Sequence, residues 1–200
     1  MKERGWQVHG CDISTAVCAS VARRFSVKTH CGDVSTLSKE TAYDVVVMNH
    51  VLEHVESPLE MLAEVRCRMA AGGLLHLAVP NAACWEALFP SWTSYEPYHL
   101  VYFTPDTIRK LMDRAEFRVH HISTHESFSG WFLVLLRALL GQRHKSARER
   151  MTGRRRRSSS SIEHMYGMAM VTAGVMSWPF RRFQEMVGCG DEVIVLAGPR

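Results

Sequence analysis

The sequence lacks a long apolar run, a closely spaced cysteine pair and a glycine-rich loop near its start. The longest apolar runs, residues 131–136 and 168–176, are far shorter than the ~20 residues of a membrane-spanning helix. The six cysteines form no Cys-x-x-Cys pair, so their spacing predicts neither a zinc finger nor a disulfide framework. No apolar segment follows the first four residues, so the N-terminus does not resemble a secretory signal. We therefore expect a cytoplasmic protein.

Positive charge is concentrated in one segment. The chain carries a net charge of +4, and residues 142–157 alone carry +7 from eight Lys/Arg and one Glu. The remainder is therefore acidic, at −3, which argues against nucleic acid as a partner. Two interpretations of the apolar and basic stretch 131–157 stay open. It is either a weak membrane-surface contact or a substrate cap whose apolar face packs on the domain.

Strand and helix signals alternate over the first 125 residues. The β-branched run Val45-Val46-Val47 predicts a strand buried on both faces. Ser57 followed by Pro58 and Glu60 predicts a helix start with a capping box, and Gly72-Gly73 predicts the end of that helix. Alternating strands and helices imply parallel pairing with right-handed crossovers. We therefore predict an α/β fold, with a doubly wound and mostly parallel sheet.

The pattern changes after residue 127, which sets the predicted domain organisation. Residues 1–127 are expected to form the α/β core. Residues 128–187 are a helical and basic insertion or cap before the last strand, with a flexible linker near 142–161, where apolar residues are too few to form a core. Residues 188–200 supply the final strand. Within the insertion, Pro179 is expected to end a helix.

Candidate binding residues follow the predicted strands, because ligands of doubly wound sheets bind outside the carboxyl ends of the strands. Asp12 follows the first visible strand, where its carboxylate can accept hydrogen bonds from ribose hydroxyls or cap the next helix. Asp33 follows the second strand. Its carboxylate can accept a hydrogen bond from the amino group of adenine, or the residue can belong to a solvated turn. Asn49 and His50 follow the valine run, and Asn81 follows the next strand.

Taken together, several segments resemble class I S-adenosylmethionine-dependent methyltransferases, especially the ubiquinone-biosynthesis O-methyltransferase-like branch. The run YDVVVMNHVLEHV resembles the family's fourth-strand motif. The segments that agree, in chain order, are residues 5–14, 43–55, 72–81, 99–105 and 191–195. The resemblance covers about residues 5–125 and the final strand, and it implies a Rossmann-like fold and methyl transfer to a small-molecule or lipid-linked acceptor.

The resemblance also implies S-adenosylmethionine as the cofactor. Asp12 would bind the ribose, and Asp33 the adenine with Val34 packed on its ring, while Asn49 and His50 would line the methionine end. The implied cofactor-binding residues are Asp12, Ile13, Asp33, Val34, Asn49 and His50.

Two histidines are the candidate catalytic residues. The resemblance implies that His54 and His99 face the methyl acceptor, where a His can act as general base because its pKa lies near neutrality. A structural hydrogen bond is the alternative for His54, and in-line positioning alone can drive methyl transfer. His50, Glu53 and His54 could also ligate a metal, since some relatives place acidic residues and a His here for magnesium. His50 replaces a carboxylate and suits magnesium poorly, so we predict no metal.

Aromatic residues between the two predicted catalytic histidines have two interpretations. They either line an apolar acceptor pocket or form a lid packed over the domain. The residues are Trp85, Trp92, Tyr95 and Tyr98.

The sequence departs from the family at its start. The family begins with a central strand, a Gly-x-Gly-type loop and a helix, and none of these can be placed before Trp6. We therefore expect a fold whose first, central strand is missing. Two explanations stay open. The chain is truncated, with Met1 inside the first helix, or it is a short protein that no longer binds the cofactor well and acts as a non-catalytic remnant or interaction module.

A smaller departure lies before the predicted strand at residue 117. Glu116 stands where relatives usually carry Gly. A left-handed backbone at a non-glycine residue costs about 1 kcal/mol, so we expect a differently shaped helix end.

Overall fold

The computed structural model describes residues 2–90, 92–127 and 160–200. Within these residues, short 3-10 helices follow β2, β3 and β4, and another lies near the N-terminus. The helices are α1 (Thr15–Phe25), α2 (Pro58–Arg66), α3 (Pro105–Arg114) and α4 (Ser160–Met186). The strands are β1 (His9–Asp12), β2 (Lys28–Cys31), β3 (Tyr43–Asn49), β4 (Met69–Pro80), β5 (Phe117–His125) and β6 (Glu192–Pro199).

The strands form two separate sheets. β1 and β2 pair in parallel, and the second sheet has the order β3-β4-β6-β5. β3 and β4 are parallel, whereas β6 runs antiparallel to both of its neighbours. The parallel pair, the mixed four-stranded sheet and their helices confirm the predicted α/β fold class. In space, no described strand lies between the β1–β2 sheet and β3, where the sequence predicts that the central strand is missing. His9 Nδ1 of β1 lies 3.1 Å from the Tyr43 hydroxyl of β3.

The core lies between the four-stranded sheet and helices α2 and α3. It contains Leu62 and Val65 from α2, and Ile108 and Met112 from α3, together with alternate residues of the central strands. Burial of each such side chain stabilises the fold by roughly 1.5–3 kcal/mol. The core therefore fixes the strand ends at which the candidate site is built.

β3 is an edge strand of its sheet, and its burial differs from the prediction. Val46 packs against the core, whereas Val47 is 48% exposed. Successive residues of a strand point to opposite faces, and the core lies on only one of them. The prediction that the valine run is buried on both faces is therefore wrong.

Two predicted features of α2 are also wrong. The helix begins at Pro58, but Ser57 has ψ 79° and makes no side-chain capping hydrogen bond. The helix ends at Arg66, and Gly73 lies inside β4. A Cβ at Gly73 would lie 3.0 Å from the Tyr43 carbonyl oxygen, so this glycine permits the close approach of β3 and β4.

Two further helix ends correct the sequence predictions. α4 continues through Pro179 to Met186, because an interior proline removes a hydrogen bond without always ending a helix. Glu116 has φ 60°, so the chain takes the left-handed turn after α3 despite the missing glycine. The expectation that this end of α3 has a different shape was wrong. Glu116 adopts the left-handed conformation and carries its backbone strain.

A buried arginine attaches the β1–β2 sheet to the rest of the domain. Arg68 is 2% exposed, and it donates hydrogen bonds to the carbonyl oxygens of Ser35 (2.6 Å) and Leu37 (3.0 and 3.1 Å) beyond β2. It also pairs with Glu64 of α2 at 2.6 Å. Because a buried charge is strongly unfavourable without partners, these bonds hold the segment after β2 against α2.

The predicted insertion is described only in part. The predicted linker falls almost wholly, and the proposed membrane-contact stretch 131–157 wholly, outside the described residues. The boundaries at residues 127 and 187 stay predictions. Among the helices that the structure describes, none has the length and apolarity needed to cross a membrane.

Candidate active site

The carboxyl ends of β1 and β2 bring two predicted binding residues together. The Asp12 carbonyl oxygen accepts a hydrogen bond from Gly32 N at 3.0 Å, next to Asp33. Asp12 Oδ1 accepts from Ser14 N, and Asp33 Oδ1 accepts from Ser35 N, both at 2.8 Å. The backbone and side-chain hydrogen bonds at Ser35 hold the pKa of Asp33 below its ordinary value. Each residue therefore caps a turn at the end of its strand.

The two apolar residues predicted beside these carboxylates differ in exposure. Ile13 is 80% exposed next to Asp12. Val34 is half-buried and packs against the core. Ile13 therefore offers more apolar surface to a ligand than Val34 does.

Asn49 and His50 lie at the end of β3. Asn49 Oδ1 lies 3.1 Å from His76 Nδ1 on β4. His50 N donates to the Ala78 carbonyl oxygen at 2.9 Å, and His50 has φ 52°. A left-handed backbone at a non-glycine residue is strained, and such residues cluster at functional sites.

The ring of His50 lies between two carboxylates. Its Nε2 is 2.8 Å from Glu192 Oε1, and its Nδ1 is 3.2 Å from Glu53 Oε1. The hydrogen bonds to Glu192 and then to Glu53 raise the pKa of His50 to about 10. The same bond to His50 lowers the pKa of Glu192. His50 is therefore an imidazolium at neutral pH.

The structure brings the two predicted catalytic histidines together. The rings of His54 and His99 have centroids 4.8 Å apart and an interplanar angle of 61°. Their approach depends on Glu53, whose carbonyl oxygen accepts hydrogen bonds from Leu100 N (2.8 Å) and Val101 N (3.2 Å). These bonds hold the segment after His99 against the end of β3.

Hydrogen bonds to carbonyl oxygens assign the tautomers of both rings. His54 Nδ1 lies 3.1 Å from the Tyr98 carbonyl oxygen, and His99 Nδ1 lies 2.8 Å from that of Ser94. A carbonyl oxygen only accepts, so each Nδ1 carries a hydrogen, and Nε2 is the atom of each ring on which a lone pair can lie. Burial lowers the pKa of His99, which favours the neutral ring.

Glu53 was considered in the sequence only as a possible metal ligand with His50 and His54. Its side chain is 1% exposed, and Oε1 lies 4.0 Å from His54 Nε2. Its Oε2 is buried without a hydrogen-bond partner. Its position before His54 in the fourth-strand motif indicates that Glu53 lies near the site. Only the fold shows that Glu53 and Glu192 of β6 both contact His50.

The aromatic residues divide between the two predicted roles. Trp92 is 0% exposed, and its Nε1 donates to Asp191 Oδ1 at 2.8 Å. Trp85 packs on Phe180 of α4, with ring centroids 5.3 Å apart. These two tryptophans therefore pack over the domain.

The tyrosines behave differently. Tyr98 and Tyr102 are 48% and 40% exposed, and their ring centroids lie 5.4 and 6.2 Å from that of His99. Tyr95 is 44% exposed and lies 6.0 Å from Tyr102. These rings form an exposed aromatic surface beside His99.

A second buried polar cluster lies where α4 meets β5. Gln184 Nε2 lies 2.7 and 2.9 Å from the two carboxylate oxygens of Glu86 and 3.1 Å from Glu126 Oε2. Burial, and then the neighbouring Glu86, raises the pKa of Glu126 to about 8. Burial also raises the pKa of Asp191, whose N donates to Glu126 Oε2 at 2.8 Å. The members of this cluster are far apart in the chain, so no local sequence pattern indicated it.

Comparison with solved structures shows the same fold in other proteins. A SAM-dependent methyltransferase from Archaeoglobus fulgidus superposes with a TM-score of 0.60 at 17% identity, covering 98% of this chain and 78% of that one. The glycopeptide N-methyltransferase MtfA, solved with S-adenosyl-L-methionine, gives 0.52 at 15% identity, covering 99% and 74%. The cyclase SpnF gives 0.54 at 16% identity, covering 96% and 66%. A fold shared with a cyclase does not by itself fix the reaction.

The sequence match to a family is more specific. No curated protein matches the chain. A family model described as a methyltransferase domain matches residues 1–122, which is more than half of the chain and includes Asp12, Asp33, His54 and His99. The chain therefore belongs to the methyltransferase domain family.

Proposed function

We propose that this chain transfers a methyl group from S-adenosylmethionine to a nucleophilic atom of a small apolar or aromatic acceptor, free or lipid-linked, as in the ubiquinone-biosynthesis O-methyltransferase-like branch. The observation that carries the proposal is the approach of His54 and His99, at 4.8 Å between ring centroids. This pair lies beyond the end of β3. Asp12 and Asp33 stand at the corresponding ends of β1 and β2.

The predicted binding residues fit the parts of this cofactor. Asp12 and Asp33 are exposed carboxylates at neighbouring strand ends, where Asp12 would accept hydrogen bonds from the ribose hydroxyls and Asp33 one from the adenine amino group. Ile13 would pack on the nucleoside with its exposed side chain, and Val34 would support the ring from the core side. Asn49 and His50 would line the methionine end. Both nitrogens of His50 are paired with Glu53 and Glu192, so its ring would line the methionine end without binding the carboxylate of that end.

His99 is the better placed general base of the pair. When bound, S-adenosylmethionine supplies a methyl group from its sulfonium sulfur and leaves as the thioether S-adenosylhomocysteine. His99 would accept the proton of the acceptor hydroxyl or amine on Nε2, as the oxygen or nitrogen forms its bond to the methyl carbon. Its Nδ1–H bond to the Ser94 carbonyl oxygen fixes the ring for this task. His54 would orient the acceptor beside it.

The exposed tyrosines support an aromatic or apolar acceptor. Tyr98 and Tyr102 lie beside His99 with much of their rings exposed. Aromatic rings pack on one another in offset or edge-to-face geometry, which contributes about 0.5–1.5 kcal/mol for each pair. A small phenol, or the aromatic head group of a lipid-linked acceptor, would fit this surface.

Titration calorimetry of S-adenosylhomocysteine into the 200-residue chain tests the cofactor. We expect Asp12→Ala to weaken binding at least about tenfold, or 1.4 kcal/mol. Asp44→Ala is the matched control, because Asp44 is also an exposed carboxylate but lies within β3. Absence of binding by the wild-type chain would overturn the proposal.

A second assay tests the acceptor. Small phenols, amines and lipid-linked phenols would be incubated with the chain and S-adenosylmethionine, and mass spectrometry would detect the added methyl group. We expect methylation of phenols, with a loss of at least about tenfold in kcat/KM for Tyr98→Ala. Methylation of none of these acceptors by a chain that binds the cofactor would contradict the proposed acceptor class.

A further inference from the structure

Two cysteines meet between α1 and β2, beside the turn that follows β1. Cys18 of α1 is buried, whereas Cys31 at the end of β2 is exposed. Thr29 shares one face of β2 with Cys31, because alternate residues of a strand point to the same side. The Thr29 hydroxyl donates to the Cys18 carbonyl oxygen at 3.4 Å, so α1 covers this face. Cys18 therefore lies on the side of β2 from which Cys31 projects.

Both thiols contact the backbone around the end of β1. Cys18 Sγ lies 3.4 Å from the carbonyl oxygens of Asp12 and His30, and the second oxygen belongs to the peptide that leads into Cys31. Cys31 Sγ lies 3.9 Å from the Ile13 carbonyl oxygen. Burial, and then a hydrogen bond with the Cys31 thiol, raises the pKa of the Cys18 thiol. The two thiols are therefore direct neighbours.

A third cysteine lies on the other face of the small sheet. In the register of β1 and β2, Cys11 pairs with His30, and Cys31 pairs with Asp12. Paired residues of adjacent strands project to the same face and successive residues to opposite faces, so Cys11 and Cys31 project away from each other. Cys18, and not Cys11, is therefore the partner that a bond to Cys31 would take.

The difference in exposure gives the two thiols different roles in oxidation. Redox-sensor cysteines are accessible to oxidants and often stand next to a second cysteine that resolves the oxidised form. Cys31 is the accessible thiol of the pair. Cys18 is 6% exposed, so an oxidant in solution reaches it poorly, but its sulfur already lies beside Cys31. This arrangement suits Cys31 for the first step and Cys18 for the second.

We propose that Cys18 and Cys31 form a reversible disulfide when hydrogen peroxide oxidises the chain, and that this disulfide weakens cofactor binding. The Cys31 sulfur attacks peroxide, so that an S–O bond forms as the O–O bond breaks, and water leaves with the thiol proton. The Cys18 sulfur then attacks the sulfenic acid, so that the S–S bond forms as the S–O bond breaks. A second water carries away the Cys18 proton. The two thiols lose two electrons, and one peroxide molecule is reduced to two waters.

The effect on the cofactor rests on the proposed function. In the reduced chain, the two thiols are donors to the carbonyl oxygens of Asp12 and Ile13, in the turn that would bind the nucleoside. Disulfide sulfurs carry no hydrogen, so both carbonyl oxygens lose these donors on oxidation. We therefore expect the Kd for S-adenosylhomocysteine to rise at least about threefold.

Peptide mapping of the peroxide-treated chain tests the modification site. The reduced 200-residue chain receives an equimolar amount of hydrogen peroxide, the remaining thiols are alkylated, and mass spectrometry of a digest identifies linked peptides. We expect one peptide pair joined through Cys18 and Cys31, which dithiothreitol separates. Absence of this pair, or equal yields of pairs through Cys11 or Cys67, would overturn the proposal.

Substitutions then assign the two steps. Cys31→Ser should leave the fold intact, since Cys31 is exposed, and it should leave Cys18 unoxidised. Cys18→Ala should let the sulfenic acid persist at Cys31, where dimedone traps it. Cys67→Ser is the matched control, because Cys67 is another exposed cysteine, and the linked pair should form as in the wild type. Thermal melting shows whether each variant is folded. Oxidation of Cys18 in a folded Cys31→Ser chain would contradict the assignment.

Calorimetry of S-adenosylhomocysteine with reduced and peroxide-treated chains tests the effect on binding. We expect the higher Kd in the oxidised wild type, recovery after dithiothreitol, and no change on peroxide treatment of Cys31→Ser. Equal Kd values for the reduced and oxidised wild type would overturn the effect on binding. Absence of binding by the reduced chain would contradict the proposed function instead, whereas the linked peptide decides the modification site without any cofactor.

Discussion

The Nε2 atom of His50 lies 2.8 Å from the Oε1 atom of Glu192, and this contact joins the end of β3 to the start of β6. β4 lies between these two strands in the sheet, so the pair crosses a whole strand at the edge where the candidate site is built. The hydrogen bonds to Glu192 and Glu53 raise the pKa of His50 to about 10. The positive charge of His50 therefore depends on residues from two separate parts of the chain.

Glu192→Gln is expected to lower the stability of the domain modestly. The pair is half-exposed, with 54% and 25% of the two side chains accessible, so solvent screening limits its contribution to about 1 kcal/mol. Chemical denaturation measures the change. Glu56→Gln is the control, because Glu56 is an exposed acid, and an equal loss in both variants would contradict the predicted role of the pair.

His99→Gln is expected to lower kcat by a factor of about 10² or more, since general bases contribute roughly 10²–10⁴. The Kd for S-adenosylhomocysteine should be unchanged, because His99 faces the acceptor side in the proposed function. The measurement is steady-state methyl transfer with calorimetry of the same preparation. His121→Gln provides the control, and full activity in His99→Gln would exclude His99 as the base.

Stability is expected to fall as the pH rises from about 4.5, the ordinary pKa of Glu126, to about 10, the pKa of His50 in the folded chain. The pKa of Glu126 is raised to about 8 in the folded chain, from an ordinary value of 4.5. A raised carboxyl pKa gives stability that is fully present below the unfolded pKa and is lost as the pH rises through the folded pKa. His50, with its pKa raised to about 10, acts in the same direction.

Glu126→Gln separates the two contributions. The amide resembles a protonated carboxyl group and cannot ionise, so the variant should lose part of the pH dependence and keep the part from His50. Thermal melting across the pH range measures both chains. A wild-type stability that rises with pH, or equal slopes in both chains, would contradict the prediction.

Glu116→Gly is expected to stabilise the domain by about 1 kcal/mol. Glu116 has φ 60° after α3, a conformation that glycine adopts without strain. The substitution also removes the ion pair with Arg66 at 2.7 Å, but exposed pairs contribute little. Glu116→Ala is the matched control because it removes the same ion pair and keeps the strain, so it should not stabilise. Equal midpoints for the two variants in denaturant would argue against backbone strain.

Arg68→Met is expected to destabilise the domain by roughly 3 kcal/mol, since removal of one partner from a buried ionic network leaves the others unpaired. The carbonyl oxygens of Ser35 and Leu37 lose their donor. Limited proteolysis should show faster cleavage after β2. Arg66→Met is the control, because its side chain is 30% exposed, and equal proteolysis of both variants would contradict this role of Arg68.

The order of elements and part of the site could be predicted from the sequence. The order of the motifs predicts that Asp12 and Asp33 follow successive strands. It also predicts that His54 and His99 both face the methyl acceptor. Residues that follow neighbouring parallel strands share an edge of the sheet, and the structure places Asp12 near Asp33 there. It also places the rings of His54 and His99 together.

The remaining features depend on contacts that local sequence does not encode. Glu192 reaches His50 only because β6 runs antiparallel beside β4. Gly73 lies within a strand rather than at a helix end because β3 approaches it closely. Both result from pairing between distant segments, which hydrophobic periodicity does not specify.

The separation of β1–β2 from the four-stranded sheet has a consequence for ligand binding. Asp12 and Asp33 lie on one sheet, and Asn49 and His50 lie on the other. A cofactor that binds to residues of both sheets would connect them. In the structure, Arg68 and the contact between His9 and Tyr43 hold the two sheets together. Binding and docking of the small sheet then form one coupled equilibrium, in which apparent affinity scales with the docked fraction. Ligand binding would therefore also stabilise the contact between the two sheets.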